Sequence, residues 1–110
     1  MEKNSFMIQM DFFNVNQQAE QLDVISRKLL QAKNKLNQVR TKIPTAWRGD
    51  NADAYLRKME IQINETERIA ASLQKVAEVV RGVAKQTYEA ENEALERARN
   101  RFDTGGGGGR

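Results

Sequence analysis

The chain has 110 residues, a net charge of +3, one proline, and neither cysteine nor histidine. The lack of cysteine excludes disulfides and thiolate metal sites, and the lack of both residues removes the commonest catalytic bases and thiol nucleophiles. The net charge is small, and basic and acidic residues are mixed along the chain. This argues against nucleic-acid binding, which uses a concentrated basic surface. We therefore expect a protein that is not an enzyme and has no cofactor, no metal and no small-molecule substrate.

The N-terminal segment, residues 1–10, alternates apolar Phe6, Ile8 and Met10 with other residues in an imperfect period of two. This pattern predicts a short extended arm. The segment has no small-residue cleavage site of the kind that a signal peptide carries. No apolar run in the chain approaches the ~20 residues that cross a bilayer.

A first helix is predicted to begin between Asp11 and Asn14, because either residue can cap a helix. Apolar residues then follow in a seven-residue repeat, which predicts a helix that packs along a narrow seam against another helix. One row of this repeat is Val15, Leu22, Leu29, Leu36 and Ile43, and the second is Ile25, Ala32 and Val39, with Gln18 as its one polar member.

A second helix is predicted from Asp50, which is a good N-cap, after a turn at residues 44–49. Pro44 disfavours helical geometry at the residue before it and ends the first helix at Ile43. The apolar face of the second helix is wide and consists of Ala52, Leu56, Met59, Ile63, Ala70, Leu73, Ala77, Val80 and Ala84, with a flanking row of Tyr55, Ile69, Val76 and Val83.

The apolar pattern becomes sparse after Val83. Residues 85–104 are predicted to form a poorly packed helical extension that projects beyond the first helix and frays. Residues 105–110 contain five glycines and predict a flexible tail. That glycine run follows no strand, so it is not a phosphate-binding loop.

Residues 11–84 together predict an all-α helix-turn-helix hairpin. Two helices with apolar faces this broad cannot shield each other completely, so we expect a second hairpin to cover them in an antiparallel four-helix bundle. The residues expected at this dimer interface are Leu56, Met59, Ile63, Leu73 and Val80.

The connection contains the only tryptophan of the chain, Trp47, two residues before Gly49. A Trp-x-Gly sequence midway between two long helices, in a chain of about 100 residues without cysteine, resembles the WXG family of early-secreted-antigen-like proteins. The segment "AWRGDNADAY" is similar to that family's hairpin connection. Without the resemblance, Trp47 is interpreted either as a hydrophobic plug at the end of the hairpin or as a recognition residue on a rigid corner, and Gly49 as the residue that permits the chain reversal.

The resemblance implies a dimer of hairpins exported by a type VII secretion system, with the secretion ATPase as a partner. It also implies a C-terminal export signal, Tyr-x-x-x-Asp/Glu. Tyr88 matches its tyrosine, but Asn92 stands where the family has an acid, and Glu91 is the nearby carboxylate on the same helix face. The alternative for Tyr88 is an ordinary residue of the helix surface.

Two functions remain open from the sequence. One is a secreted substrate or co-secreted partner, cytoplasmic before export and secreted without a cleaved signal peptide, with the cell surface as a further location. The other is an intracellular helical adaptor or chaperone for a larger secreted toxin. The dimer is either a homodimer or a heterodimer with a related helical protein, and a coiled-coil protein unrelated to secretion is a more remote third reading.

Overall fold

The computed structural model describes residues 3–108, with side chains through Arg101, and contains no strand within that range. Helix α1 comprises Ser5–Ala46 and helix α2 comprises Asp50–Gly108. The two long helices pack against each other as a hairpin, which confirms the all-α prediction. Neither helix, over its described residues, has a stretch apolar and long enough to cross a membrane.

Helix α1 begins earlier than the sequence pattern indicates. The side-chain oxygen of Asn4 accepts a hydrogen bond from the Met7 amide at 2.8 Å, and its carbonyl accepts one from the Ile8 amide at 3.1 Å. Asn4 is therefore the N-cap. The extended arm predicted for residues 1–10 is wrong from Ser5 onward, and residues 1–2 lie outside the described range.

The connection between the helices is shorter than the predicted turn at residues 44–49. Pro44 lies inside the last turn of α1, and the Trp47 amide still donates to the Ile43 carbonyl at 2.7 Å. The helix thus continues for two residues past the proline, to Ala46. A proline this close to the helix end removes one backbone hydrogen bond without interrupting a longer helix. Gly49 has a φ of +115° and accepts the first hydrogen bond of α2, from the Asp53 amide at 3.0 Å. Gly49 rather than Asp50 is therefore the N-cap.

The chain forms two compact units. The first, called the loop unit, is Glu20–Ala77, and the second, called the terminal unit, is Met1–Ala19 with Glu78–Arg110. In the loop unit the Ser26 hydroxyl donates to the Ala70 carbonyl at 2.8 Å, and the Lys33 ammonium lies 3.8 Å from the Glu67 carboxylate. Residue numbers rise along α1 as they fall along α2, so the two helices are antiparallel in this unit.

The buried and half-buried residues of α1 include an unbroken series in which four- and three-residue steps alternate; the other half-buried residues are Asn16, Asp23, Val24, Leu30 and Asn37. The alternating series, which is the seam of α1, combines the predicted row from Val15 to Ile43 with a second row of Ala19, Ser26, Lys33 and Arg40. The second row predicted from the sequence is wrong by one residue, since Ile25, Ala32 and Val39 are exposed. Small side chains at Ala19 and Ser26 permit close packing, and long basic ones extend their stems along the seam.

The seam of α2 follows the same alternation until it reaches Val80. Its residues are Ala52, Leu56, Met59, Ile63, Thr66, Ala70, Leu73, Ala77, Val80, Ala84 and Tyr88. Between Val80 and Tyr88 two four-residue steps follow each other, where an uninterrupted repeat would place Thr87 in the seam. Such a stutter locally changes the winding of one helix around its partner.

In the terminal unit, packing continues beyond Val83. Ala84 is buried, and the rings of Phe12 and Tyr88 lie 4.5 Å apart between centroids. The predicted helical extension at residues 85–104 is therefore helical, but its first turns are packed against α1 rather than projecting free of it. Helix α2 runs on through Gly108, so the predicted tail at 105–110 is helical up to that residue, and residues 109–110 lie outside the described range.

Candidate interaction surfaces

An apolar row remains exposed on each helix of the loop unit. It consists of Ile25, Ala32 and Val39 on α1, and of Tyr55, Ile69 and Val76 on α2. We call these six residues the outer face. Each exposed row lies three positions after one row of the seam of its own helix. That row is Val15 to Ile43 in α1, and Ala52, Met59, Thr66, Leu73 and Val80 in α2. In an antiparallel pair of helices, residues that follow the seam by the same number of positions lie on the same side of the pair. The two exposed rows therefore lie on the same side of the hairpin.

The residues predicted to form a dimer interface lie in the seam instead. Met59 and Ile63 are 8% and 5% exposed, and Leu56, Leu73 and Val80 are half-buried. Helix α1 is the element that buries them. The apolar stripe of α2 was identified correctly from the sequence, but its central rows are used within the chain.

The end of the loop unit carries two partly exposed aromatic side chains. The rings of Trp47 and Tyr55 lie 6.0 Å apart between centroids, inclined at 54°. Trp47 is 46% exposed and Tyr55 is 51% exposed, so each covers only part of the other. The tryptophan is thus neither a buried plug nor a fully solvated residue. Arg48, beside it, donates from Nε to the Pro44 carbonyl at 3.3 Å, which holds its side chain against the end of α1.

The residues of the predicted export signal lie in the terminal unit, and two of them contact the N-terminal part of the chain. Tyr88 is half-buried against Phe12. The Glu91 carboxylate lies 2.9 Å from the Lys3 ammonium, which is also 2.7 Å from the Asp11 carboxylate. Asn92 is half-buried beside them. The structure therefore brings Tyr88 onto the first turns of α1 and Glu91 onto Lys3, just before that helix, and neither contact was predicted from the sequence.

Hydrogen bonds from Lys3 to Asp11 and then to Glu91 raise the pKa of the Lys3 ammonium above its ordinary value. The ammonium is therefore charged throughout the neutral range. It joins the two helices through one carboxylate on each. Two carboxylates and one ammonium leave this cluster with a net charge of −1.

A cavity of about 510 Å³ that is open to solvent lies between the helices of the terminal unit, next to the charged cluster. Its α1 wall includes Ile8, Phe12 and Val15, and its α2 wall includes Val83 and Ala84. The cavity coincides with the stutter of α2. There α1 keeps its seven-residue repeat while α2 does not, and the small side chain of Ala84 occupies the seam.

Among the described residues, no group of three or more carboxylates could hold a metal ion. The chain matches no family model, and searches of the curated proteins and of the solved structures found no match. The surfaces described above are accordingly the basis for assigning a function.

Proposed function

We propose that the protein functions by protein–protein binding and associates through its outer face into an antiparallel four-helix bundle. The observation that carries this proposal is the pair of exposed apolar rows on one side of the loop unit. Tyr55 and Ile69 are 51% and 42% exposed, and Ile25 on α1 is 47% exposed. Isolated apolar side chains are ordinary on a protein surface, but contiguous apolar patches mark interaction sites.

Apart from Gln62, which interrupts the row of α2, these rows keep the seven-residue spacing that a partner helix requires. An apolar residue that recurs every seven positions keeps facing the same neighbour along a supercoiled bundle. Full burial of one large apolar side chain is worth about 1.5–3 kcal/mol. The outer-face side chains are about half exposed, so each contributes about half of that value, and the sum over two copies opposes the free energy lost on association.

A second copy of the chain fits this surface because the outer face can be self-complementary. A twofold interface presents the same patch from both copies. In an antiparallel arrangement the connection of one hairpin lies beside the far helix ends of the other. Trp47 of one copy then approaches the C-terminal half of α2 in its partner. A heterodimer with a related helical protein would use the same rows.

We further propose that this bundle is exported by a type VII secretion system, or accompanies a substrate of one, and contacts the secretion ATPase. The support is the Trp-x-Gly sequence at Trp47 and Gly49, placed at a tight connection between two long antiparallel helices. The tryptophan is 46% exposed and is therefore accessible to a receptor.

The secretion role is tested in a Gram-positive host with and without its secretion ATPase. The tagged chain should accumulate in the culture supernatant of the first strain and remain in the lysate of the second. A cytoplasmic marker protein controls for lysis. Equal amounts of the chain in both supernatants would contradict the proposal. Sedimentation equilibrium of the purified chain, which should give a dimer at micromolar concentration, tests the association separately.

One observation favours the alternative of an intracellular adaptor for a larger secreted toxin. Asn92 occupies the position of the acid in the family's export signal, and Tyr88 and Glu91 are engaged by Phe12 and Lys3. A chain whose own signal is incomplete is suited to accompany a partner that carries the full signal. In that case the chain stays in the lysate of both strains and co-purifies with the toxin before export.

A further inference from the structure

The cavity of the terminal unit has the size and lining of a small-molecule site. Pockets that bind ligands commonly enclose about 300–1,000 Å³ and are lined mainly by apolar groups with a few polar ones. Here the volume is about 510 Å³ and most lining residues are aliphatic or aromatic. The lining spans Ile8 to Val15 on α1, which is roughly 10 Å of helix.

Polar groups are concentrated on a few residues of this lining. Asp11 and Glu91 supply carboxylates, and Lys3 bridges them. The other polar lining residues, Asn14 and Thr87, are uncharged. A ligand that fits must therefore combine an apolar body with a group that tolerates a local charge of −1.

We propose that this cavity binds a small amphiphile that has a single apolar chain and a protonated amine. The chain lies among Ile8, Phe12 and Val83, and the ammonium group lies beside Asp11 and Glu91. The proposal does not depend on dimerisation or on export. It departs from the expectation, drawn from composition, of a protein without small-molecule ligands.

The charge of the cluster discriminates among head groups. A carboxylate head would meet two carboxylates and would have to compete with both of them for Lys3. An ammonium head would instead accept the two carboxylates as partners and share them with the lysine. A whole partner helix is less suitable, because a helix with side chains is about 10–12 Å across. The α1 wall of the cavity extends for only about two turns.

The experiment is isothermal titration of the full chain with n-decylamine, 1-decanol and sodium decanoate, each below its micelle concentration at pH 7. The three probes share a ten-carbon chain and differ in the head group. Decylamine should bind most tightly and decanoate most weakly. Equal affinity for all three, or no binding of decylamine, would overturn the proposal.

Two pairs of variants locate the site. Thr87→Phe places a ring at the position where the stutter leaves space, and should weaken decylamine binding at least tenfold. Gln86→Phe, which adds the same ring at an exposed position outside the cavity lining, should leave binding unchanged. If the two variants bind decylamine equally, the cavity is not the site.

The contribution of the Glu91 carboxylate to decylamine binding is tested by Glu91→Gln. Glu89→Gln, at an exposed position outside the cavity lining, is its control. Loss of one partly screened ion pair should reduce the affinity for decylamine about two- to fivefold and leave that for decanol unchanged. Helical circular dichroism of each variant establishes that it is folded. Equal loss for decylamine and decanol would mean that Glu91 acts through packing, and would overturn the assigned head group.

Discussion

The Ser26 hydroxyl donates a 2.8 Å hydrogen bond to the carbonyl of Ala70, and neither residue is more than 1% exposed. The two residues join α1 to α2 at the centre of the loop unit. A hydroxyl in this position is satisfied only when it faces one particular carbonyl, so the bond fixes the register of the two helices. An unsatisfied buried hydroxyl in a shifted register would be destabilising.

We expect Ser26→Ala to lower the free energy of unfolding by about 0.5–1.5 kcal/mol, because one buried hydrogen bond is lost. Chemical denaturation monitored by helical circular dichroism measures the change. Alanine is also the better helix former, so the exposed substitution Ser72→Ala serves as a control for propensity. A larger residue, as in Ser26→Leu, should cost more, about 1–3 kcal/mol, because the site has no free volume. Equal stability of Ser26→Ala and Ser72→Ala would mean that the bond contributes nothing.

The outer face predicts which surface substitutions disrupt self-association. Val76→Glu should weaken the dimer about three- to tenfold, since burial of one half-exposed side chain is worth about half of the roughly 1.5–3 kcal/mol for full burial. Ile61 is more exposed than Val76 but lies on the opposite side of α2 from the seam. Ile61→Glu should therefore leave association unchanged. Sedimentation equilibrium distinguishes the two, and equal weakening by both would contradict the assignment of the outer face.

Leu73→Glu should act differently from Val76→Glu, although the residues are neighbours on α2. Leu73 is half-buried in the seam, so a carboxylate there should reduce the helical signal of the hairpin as well as its association.

Trp47→Ala should leave the helical signal largely unchanged while it lowers export. The ring contacts Tyr55 at the end of the loop unit, and such an aromatic pair contributes about 0.5–1.5 kcal/mol. The measurement compares circular dichroism with the amount in the culture supernatant. Tyr55→Ala removes the same aromatic pair, but Tyr55 also belongs to the outer face, so sedimentation equilibrium of this variant must show an unchanged dimer. If it does and both variants lose export equally, Trp47 acts through the aromatic pair rather than as a contact for the receptor.

The export signal is tested at Asn92. Asn92→Asp completes the Tyr-x-x-x-Asp pattern and should raise the secreted amount if this chain carries its own signal. Tyr88→Ala should lower it, but this variant also removes the contact with Phe12. Phe12→Ala is therefore the control, because it breaks the same contact and leaves Tyr88 in place. Unchanged export in both Asn92→Asp and Tyr88→Ala would assign the signal to a partner chain.

Truncation after Val83 provides a coarser test of the same question. It removes Ala84, Tyr88 and Glu91, so it also uncovers the first turns of α1. Loss of export in that variant must therefore be compared with amide exchange at residues 5–19, which should lose protection at the same time.

Acid titration should report the ion pair between Glu65 and Arg68. The hydrogen bond from Arg68, reinforced by its charge, holds the pKa of the Glu65 carboxyl below its ordinary value. The stability that this pair contributes is complete above the unfolded pKa and is lost as the pH falls through the lower folded pKa. Carbon-detected magnetic resonance of Glu65 measures the value. Arg68→Gln should return the pKa of Glu65 to its ordinary range, and an unshifted value in the native chain would contradict the pair.

Much of α2 could be predicted from the sequence because its apolar residues fall on one broad stripe. Met59, Ile63, Ala70 and Ala77 belong to the seam as expected. For α1, periodicity gave the correct first row but not the second. Ile25 is more apolar than Ser26, yet Ser26 faces α2, because a small hydroxyl with a carbonyl partner packs more closely there.

The other differences between the predicted and the observed structure arise where one local interaction determines the conformation. Asn4 precedes a segment whose helical period was hidden by the clustered apolar residues around it. Ile8 stands seven residues before Val15, and this spacing was the available signal that α1 begins before Asp11. The stutter near Thr87 could not be read from apolarity, since neither Thr87 nor Tyr88 is a strong seam residue.

The connection combines a reversal of the chain with an exposed indole, and the positive φ of Gly49 determines only the reversal. No other residue in the described range has a positive φ, and a side chain at this position would be strained although no atom lies within 4 Å of it. The reversal of the chain therefore depends on the backbone of Gly49, not on the indole two residues earlier. Position 49 is constrained by the geometry of the main chain alone, whereas the residue at position 47 does not determine the reversal. A chain with another side chain at position 47 should thus still fold through the same reversal.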